Sequence, residues 1–106
     1  AINTSGELFT WGRNGEGQLG LGDTTQRNSP VQVGALTNWD KIEGGNNCCA
    51  AIKTDKTLWT WGNNVSGRLG LGDTVNRNSP VQVGALATWS QVTMNNLTLA
   101  TKSLEI

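Results

Sequence analysis

Gly15, Gly17 and Gly20, in the stretch "GEGQLG", stand at the G-x-G-x-x-G spacing of dinucleotide-binding turns. That spacing lets a backbone turn sharply beside a pyrophosphate, and Asp40 lies about twenty positions further on, where a ribose partner would stand. The chemistry needs a helix directly after the turn, because its first N–H groups hold the phosphates. The next residues are "LGLGDT". Two further glycines cost such a helix about 1 kcal/mol each relative to alanine, and no apolar stripe follows. The spacing alone does not predict a phosphate cradle, and no cofactor is expected.

Other routes to chemistry are also closed. The chain has no histidine, which excludes a Ser-His-Asp triad, an imidazole base and a histidine metal ligand within it. Glu7, Glu16, Asp40, Glu43, Asp55 and Glu105 are spread over turns and strand ends without a recurrent pair. Asp23 and Asp73 are each the single aspartate of their segment, whereas calcium takes several oxygens. Each is followed by threonine and is expected to bond nearby backbone N–H groups. Cys48 and Cys49 are neighbours, with Cα atoms about 3.8 Å apart, too close for an ordinary disulfide. On a strand they point to opposite faces, which suits two small buried residues. Asn3, Asn64 and Asn96 fit the N-glycosylation pattern, read as chance matches in a chain rich in Asn, Ser and Thr. Neither catalysis nor a metal site is expected.

Eight basic and eight acidic residues give a net charge of zero over 106 residues. They are scattered singly, with no basic stripe, which argues against nucleic acid and anionic lipid as partners. No apolar run approaches the ~18 residues of a membrane span. The first residues show no charged segment followed by an apolar one, so no signal peptide is read there.

The glycines acquire a different meaning once the chain is compared with itself. Shifted by 50 residues, the two halves agree at 28 of 50 positions, and Arg27 to Leu36 repeats unchanged as Arg77 to Leu86. The second copy has "VSGRLG" for "GEGQLG" and Ser90 for Asp40, so the copies share G-x-L-G-L-G-D-T and not the dinucleotide spacing. Each unit reads as four strands. "LFTWG" and "LWTWG" are aromatic and threonine-rich. "SPVQVG" alternates, with Pro30 or Pro80 expected as the first residue of an edge strand. "WDKIE" and "WSQVT" place Trp39 or Trp89 on one face with Ile42 or Val92. "CCAAIK" is small and nearly continuous in apolarity, as in a strand covered on both faces. The expected fold is all-β, built of four-stranded antiparallel blades that cannot bury their faces alone, hence a β-propeller.

G-x-L-x-T-W-G, N-x-x-G-x-L-G-L-G-D-T and S-P-V-x-V, recurring at a spacing of about fifty, resemble the repeat of the regulator of chromosome condensation family. The resemblance covers nearly the whole chain and implies seven-bladed propellers in the best-known members, against about two blades here. The low charge and near-identical units are similar to bacterial or phage versions. The histidine usual in the "HTLA" part of the repeat is absent. On this reading residues 1–38 form a first blade lacking its innermost strand, 39–88 a complete second blade, and 89–106 the opening strands of a third. Gly17, Gly20 and Gly22, with Gly67, Gly70 and Gly72, let the long link between third and fourth strands fold tightly beneath its blade. Leu19, Leu21, Leu69 and Leu71 anchor that link. Trp11 with Gly12, and Trp61 with Gly62, are expected as equivalent buried positions of neighbouring blades.

The resemblance implies a non-catalytic scaffold that presents loops to another protein. The family includes nucleotide-exchange factors for small GTPases, ligase-associated scaffolds and secreted bacterial inhibitors. The exchange factor carries an extra wedge between strands of one blade, and the strict 50-residue spacing leaves no room for one. A glycan-binding or virion- or cell-surface structural role is the second reading, because tryptophan with asparagine suits a sugar face. Unpaired edges and apolar blade faces at both ends predict that residues 1–106 are not a free monomer. They would join other blades, either within a longer chain or in copies arranged head to tail.

Overall fold

The computed structural model describes residues 1–45, 47–65, 67–85, 87–94 and 98–102, with side chains up to residue 90. Every element among the described residues is a strand, consecutively β1 (Phe9–Gly12), β2 (Arg27–Gln32), β3 (Trp39–Gly44), β4 (Cys48–Lys53), β5 (Leu58–Gly62), β6 (Arg77–Gln82), β7 (Trp89–Met94) and β8 (Thr98–Lys102). The middle four form one antiparallel sheet in chain order, while β1 pairs with β2 and β7 with β8. Ile2 bridges Leu8 as Ile52 pairs with Leu58 between β4 and β5, so the first unit keeps a trace of the strand before β1.

The composition of β4 shows how the sheets stack. Its alternate residues Cys48, Ala50 and Ile52 join Leu58 and Leu69 in one buried cluster, against which Leu71, Val83 and Trp89 pack. Ala51 and Cys49 face the other way, into a cluster with Leu8, Val33, Trp39 and Trp61. A strand sandwiched between two sheets has no solvent side, so small and apolar residues run along it without alternation. The strand β7 lies against β3 and β4, and the second cluster joins the central sheet to the first one.

Two irregularities position side chains that the sequence pattern alone would misplace. The register of β3 on β4 shifts between Trp39 and Lys41, which brings Trp39 and Ile42, three residues apart, into one cluster. Pro30 and Pro80 are not first residues: their strands begin three positions earlier, at Arg27 and Arg77. Both strands are edges whose register shifts opposite Thr10–Gly12 and Thr60–Gly62, and such a bulge on an edge is where a missing N–H is tolerated.

Gly20 has a reason beyond its turn. Its φ is +73°, and a Cβ there would meet Trp61 Nε1 at 2.9 Å. Gly70, its counterpart, has φ +74° but would meet only Val83 Cγ1 at 3.7 Å. Alanine at either position incurs about 1–2 kcal/mol of left-handed backbone cost. Gly20→Ala must also displace the indole, and is expected to cost about 1–3 kcal/mol more than Gly70→Ala. Urea melts of the two variants check this, and equal losses would refute the contact.

Candidate functional site

The segment between β1 and β2 does more than close its own sheet. Thr10 Oγ1 donates to the Leu19 carbonyl within the first unit. The same segment also lies across the next sheet, where the Gln18 carbonyl accepts from Trp61 Nε1 at 2.9 Å and from Cys49 Sγ at 3.3 Å. The Gly22 N–H donates to the Asn78 carbonyl on β6 at 2.7 Å, and Asn63 Nδ2 donates to Glu16 Oε2. The expected fold beneath its own blade is thus only half of the arrangement, because the link also fastens one blade to the next.

These bonds answer the question raised by "GEGQLG". The Glu16 N–H donates to Gln18 Oε1 and the Leu19 N–H to Asn14 Oδ1. Those of Gly17 and Gly20 donate to Asn14 and Gly17 carbonyls. Donors that a phosphate would need are already engaged inside the link. Millimolar NAD or ATP is therefore expected to leave the unfolding midpoint unchanged, since a ligand of the folded state must raise it. A dose-dependent rise would contradict the structural role.

Asn14 and Asn64, to which the sequence pattern assigns no structural role, organise the two links. Each is buried, at 1% and 0% exposure. Asn14 Nδ2 donates to the Asp23 carbonyl, to Asp23 Oδ1 and to the Thr25 carbonyl. Asn64 repeats the pattern with Asp73 and Val75, so its match to a glycosylation site lies on a sealed side chain. Asp23 and Asp73 accept from the Thr25 and Val75 N–H groups and pair with Arg27 and Arg77 at 2.8 and 2.6 Å. The Arg27 hydrogen bond, with that from Thr25, holds the Asp23 carboxyl below the usual carboxylate range.

The tryptophans divide. Trp39 meets Trp59 and Trp61 edge to face at 6.4 and 6.1 Å, and Trp61 is fully buried. Trp11 is not its equivalent in burial, contrary to the shared T-W-G setting: it is 50% exposed. Trp61 is covered by the link of the preceding unit, through Gln18 and Gly20. Trp89 packs on the β4 cluster. Burial raises the Cys48 thiol pKa and pushes that of Cys49 up to about 12, so both are protonated packing groups at neutral pH.

An open cleft of about 510 Å³ lies between the first and central sheets. Leu21, Val31, Leu36 and Pro80 supply apolar walls, and Trp59 and Lys53 also line it. Gly20 and Trp39 border it too. The Lys53 ammonium sits 3.8 Å from the Trp59 ring centroid and 5.0 Å from that of Trp39. Trp59 is held in place by donating Nε1 to Thr57 Oγ1 at 2.8 Å. Burial lowers the pKa of Lys53, against the charge of Asp55. Lys53 leaves no mark in the repeat pattern, because the first copy has Asn3 at that place. Among the described residues no three His, Cys, Asp or Glu side chains gather as a metal site.

Residues 5–52 and 55–94 match the family model described as the Regulator of chromosome condensation (RCC1) repeat. Over 38 residues the chain is 50% identical to Ras guanine nucleotide exchange factor C of Dictyostelium discoideum, which is 36% of this chain and 3% of that protein. Over 37 residues it is 49% identical to Protein RCC2 of Mus musculus, 35% of this chain and 7% of that protein. The chain thus spans a small part of the curated relatives it matches. In fold it is similar to Prp20p from Saccharomyces cerevisiae, with a TM-score of 0.76 at 15% identity, covering 98% of this chain and 29% of that one.

Proposed function

Because the chain belongs to the Regulator of chromosome condensation (RCC1) repeat family, we propose that it is a non-catalytic propeller segment that binds another protein. The observation that carries this reading is the cleft between consecutive blades, with apolar walls and a cation over two indoles. Ligand sites of this kind combine a mostly apolar surface with a few fixed polar groups. Prp20p, similar in fold, has binding properties to Gsp1p and histones, which is consistent with a protein partner for this chain. Guanine-nucleotide exchange is the alternative, and within these two units no wedge interrupts the 50-residue spacing. Residues 39–88 would serve as one whole blade, flanked by parts of two others.

A second reading, in which the surface binds glycan, rests on the tryptophan and asparagine that recur in the two units. Sugars stack on indole faces, yet in the cleft those faces are already covered by Lys53. Capture from a lysate on the immobilised chain, with a glycan array in parallel, tests both. The scaffold reading expects a stoichiometric protein and a silent array. No captured protein would overturn it, and array binding alone would select the glycan reading.

A further inference from the structure

We propose that the cleft between the first and central sheets receives a carboxylate side chain of the partner protein, with the Lys53 ammonium as its counter-charge. The inference rests on the protein-binding reading and names the chemistry of that site. Lys53 is only 8% exposed, and its ammonium faces two indole rings. Aromatic faces attract a cation but accept none of its three N–H bonds in the way an oxygen does. Arg27 pairs with Asp23 and Arg77 with Asp73, whereas Lys53 has no carboxylate within ion-pair distance among the described residues. Asp55, the acid that acts on Lys53, is engaged with the Thr57 N–H and hydroxyl. The Lys53 stem is nearly buried while its ammonium opens on the cleft, so an incoming carboxylate can pair with it at little further desolvation.

The blade itself does not call for this lysine. In the first unit Asn3 stands in its place and closes the local turn, accepting from the Ser5 and Glu7 N–H groups. Trp59 is likewise Phe9 in the first copy. A cation over two indoles is therefore a feature of this cleft.

The lining also selects the anion. No Asp or Glu is among the described residues bordering the cleft. Arg27, which does border it, is committed to Asp23 and to the Thr25 carbonyl. The uncommitted charge is thus one lysine, matching a carboxylate, whereas a phosphate monoester carries about −1.5 to −2. Leu21, Val31, Leu36 and Pro80 suit apolar residues on either side of the acid.

NMR of the full chain with N-acetyl-Leu-Glu-Leu-amide, its Gln isostere and its phosphoserine counterpart tests this. The Glu peptide should shift the Trp59 indole and Lys53 side-chain signals and bind about tenfold more tightly than the other two. Lys53→Gln should erase the preference with a folded, dispersed spectrum, and Lys53→Arg should retain it. Should Lys53→Gln fail to fold, the Lys53→Arg result and the peptide comparison still decide. Equal binding of Glu and Gln peptides, tighter phosphopeptide binding, a preference surviving Lys53→Gln, or no binding at 10 mM peptide (about the weakest affinity of interest) would each overturn the assignment. If these fail while the immobilised chain still captures a protein, the cleft assignment falls and the scaffold reading stands. An empty capture removes the scaffold reading itself.

Discussion

Trp61→Ala is expected to lower stability by about 3–5 kcal/mol, as large aromatics removed from cores do. The side chain is fully buried, packs edge to face on Trp39, and donates its N–H to the Gln18 carbonyl 43 residues away. Its loss opens a cavity at the junction of two blades and leaves the Gln18 carbonyl with the weaker Cys49 thiol as its donor. Trp61→Phe keeps most of the volume and removes the donor, and should cost about 1–2 kcal/mol. Trp11 has the same neighbours in sequence but is half exposed, so Trp11→Ala should cost under about 1 kcal/mol. Chemical unfolding of the three variants gives the comparison. Equal losses at Trp11 and Trp61 would mean that the link does not seal the second blade.

Asn64→Ala should cost about 3–4 kcal/mol, because buried groups left unpaired lose about 1–3 kcal/mol each and do not add fully. Its amide holds two carbonyls and one carboxylate oxygen at 2.9–3.1 Å, and its Oδ1 accepts from the Leu69 N–H at 3.0 Å. No rotation of a neighbouring side chain replaces four bonds at once. Asn64→Asp separates hydrogen bonding from shape, since it keeps the volume and turns a donor into an acceptor facing the Asp73 carboxylate. It should be at least as damaging as alanine. Near-wild-type stability of Asn64→Asp would show that the amide does not organise the link.

Much of the fold is legible in the residues because each strand's composition reflects its surroundings. "CCAAIK" carries no polar residue until Lys53, and β4 is covered on both faces. The 50-residue period gave the blade and its repeat, and the family match spans both copies. The difference in burial between Trp11 and Trp61 is not legible, because T-W-G describes a local strand end and says nothing of which sheet covers it. The same limit hid the crossing of the first link onto β5 and β6, since L-G-L-G reports turn tightness and not destination. Asn14 and Asn64 left a signal in their identity between copies, yet a polar residue in a polar loop offers no pattern of burial. Lys53 left none, as its role exists where the copies differ.

Hydrogen exchange of the indole N–H groups, followed by NMR, tests most directly the claim that the link of one blade seals the next. Trp61 is predicted to exchange only through global unfolding, with a protection that falls in step with denaturant stability. Exchange of the Trp61 indole within seconds in the folded chain would contradict the hydrogen bond to Gln18 and, with it, the stacked blades on which the cleft depends.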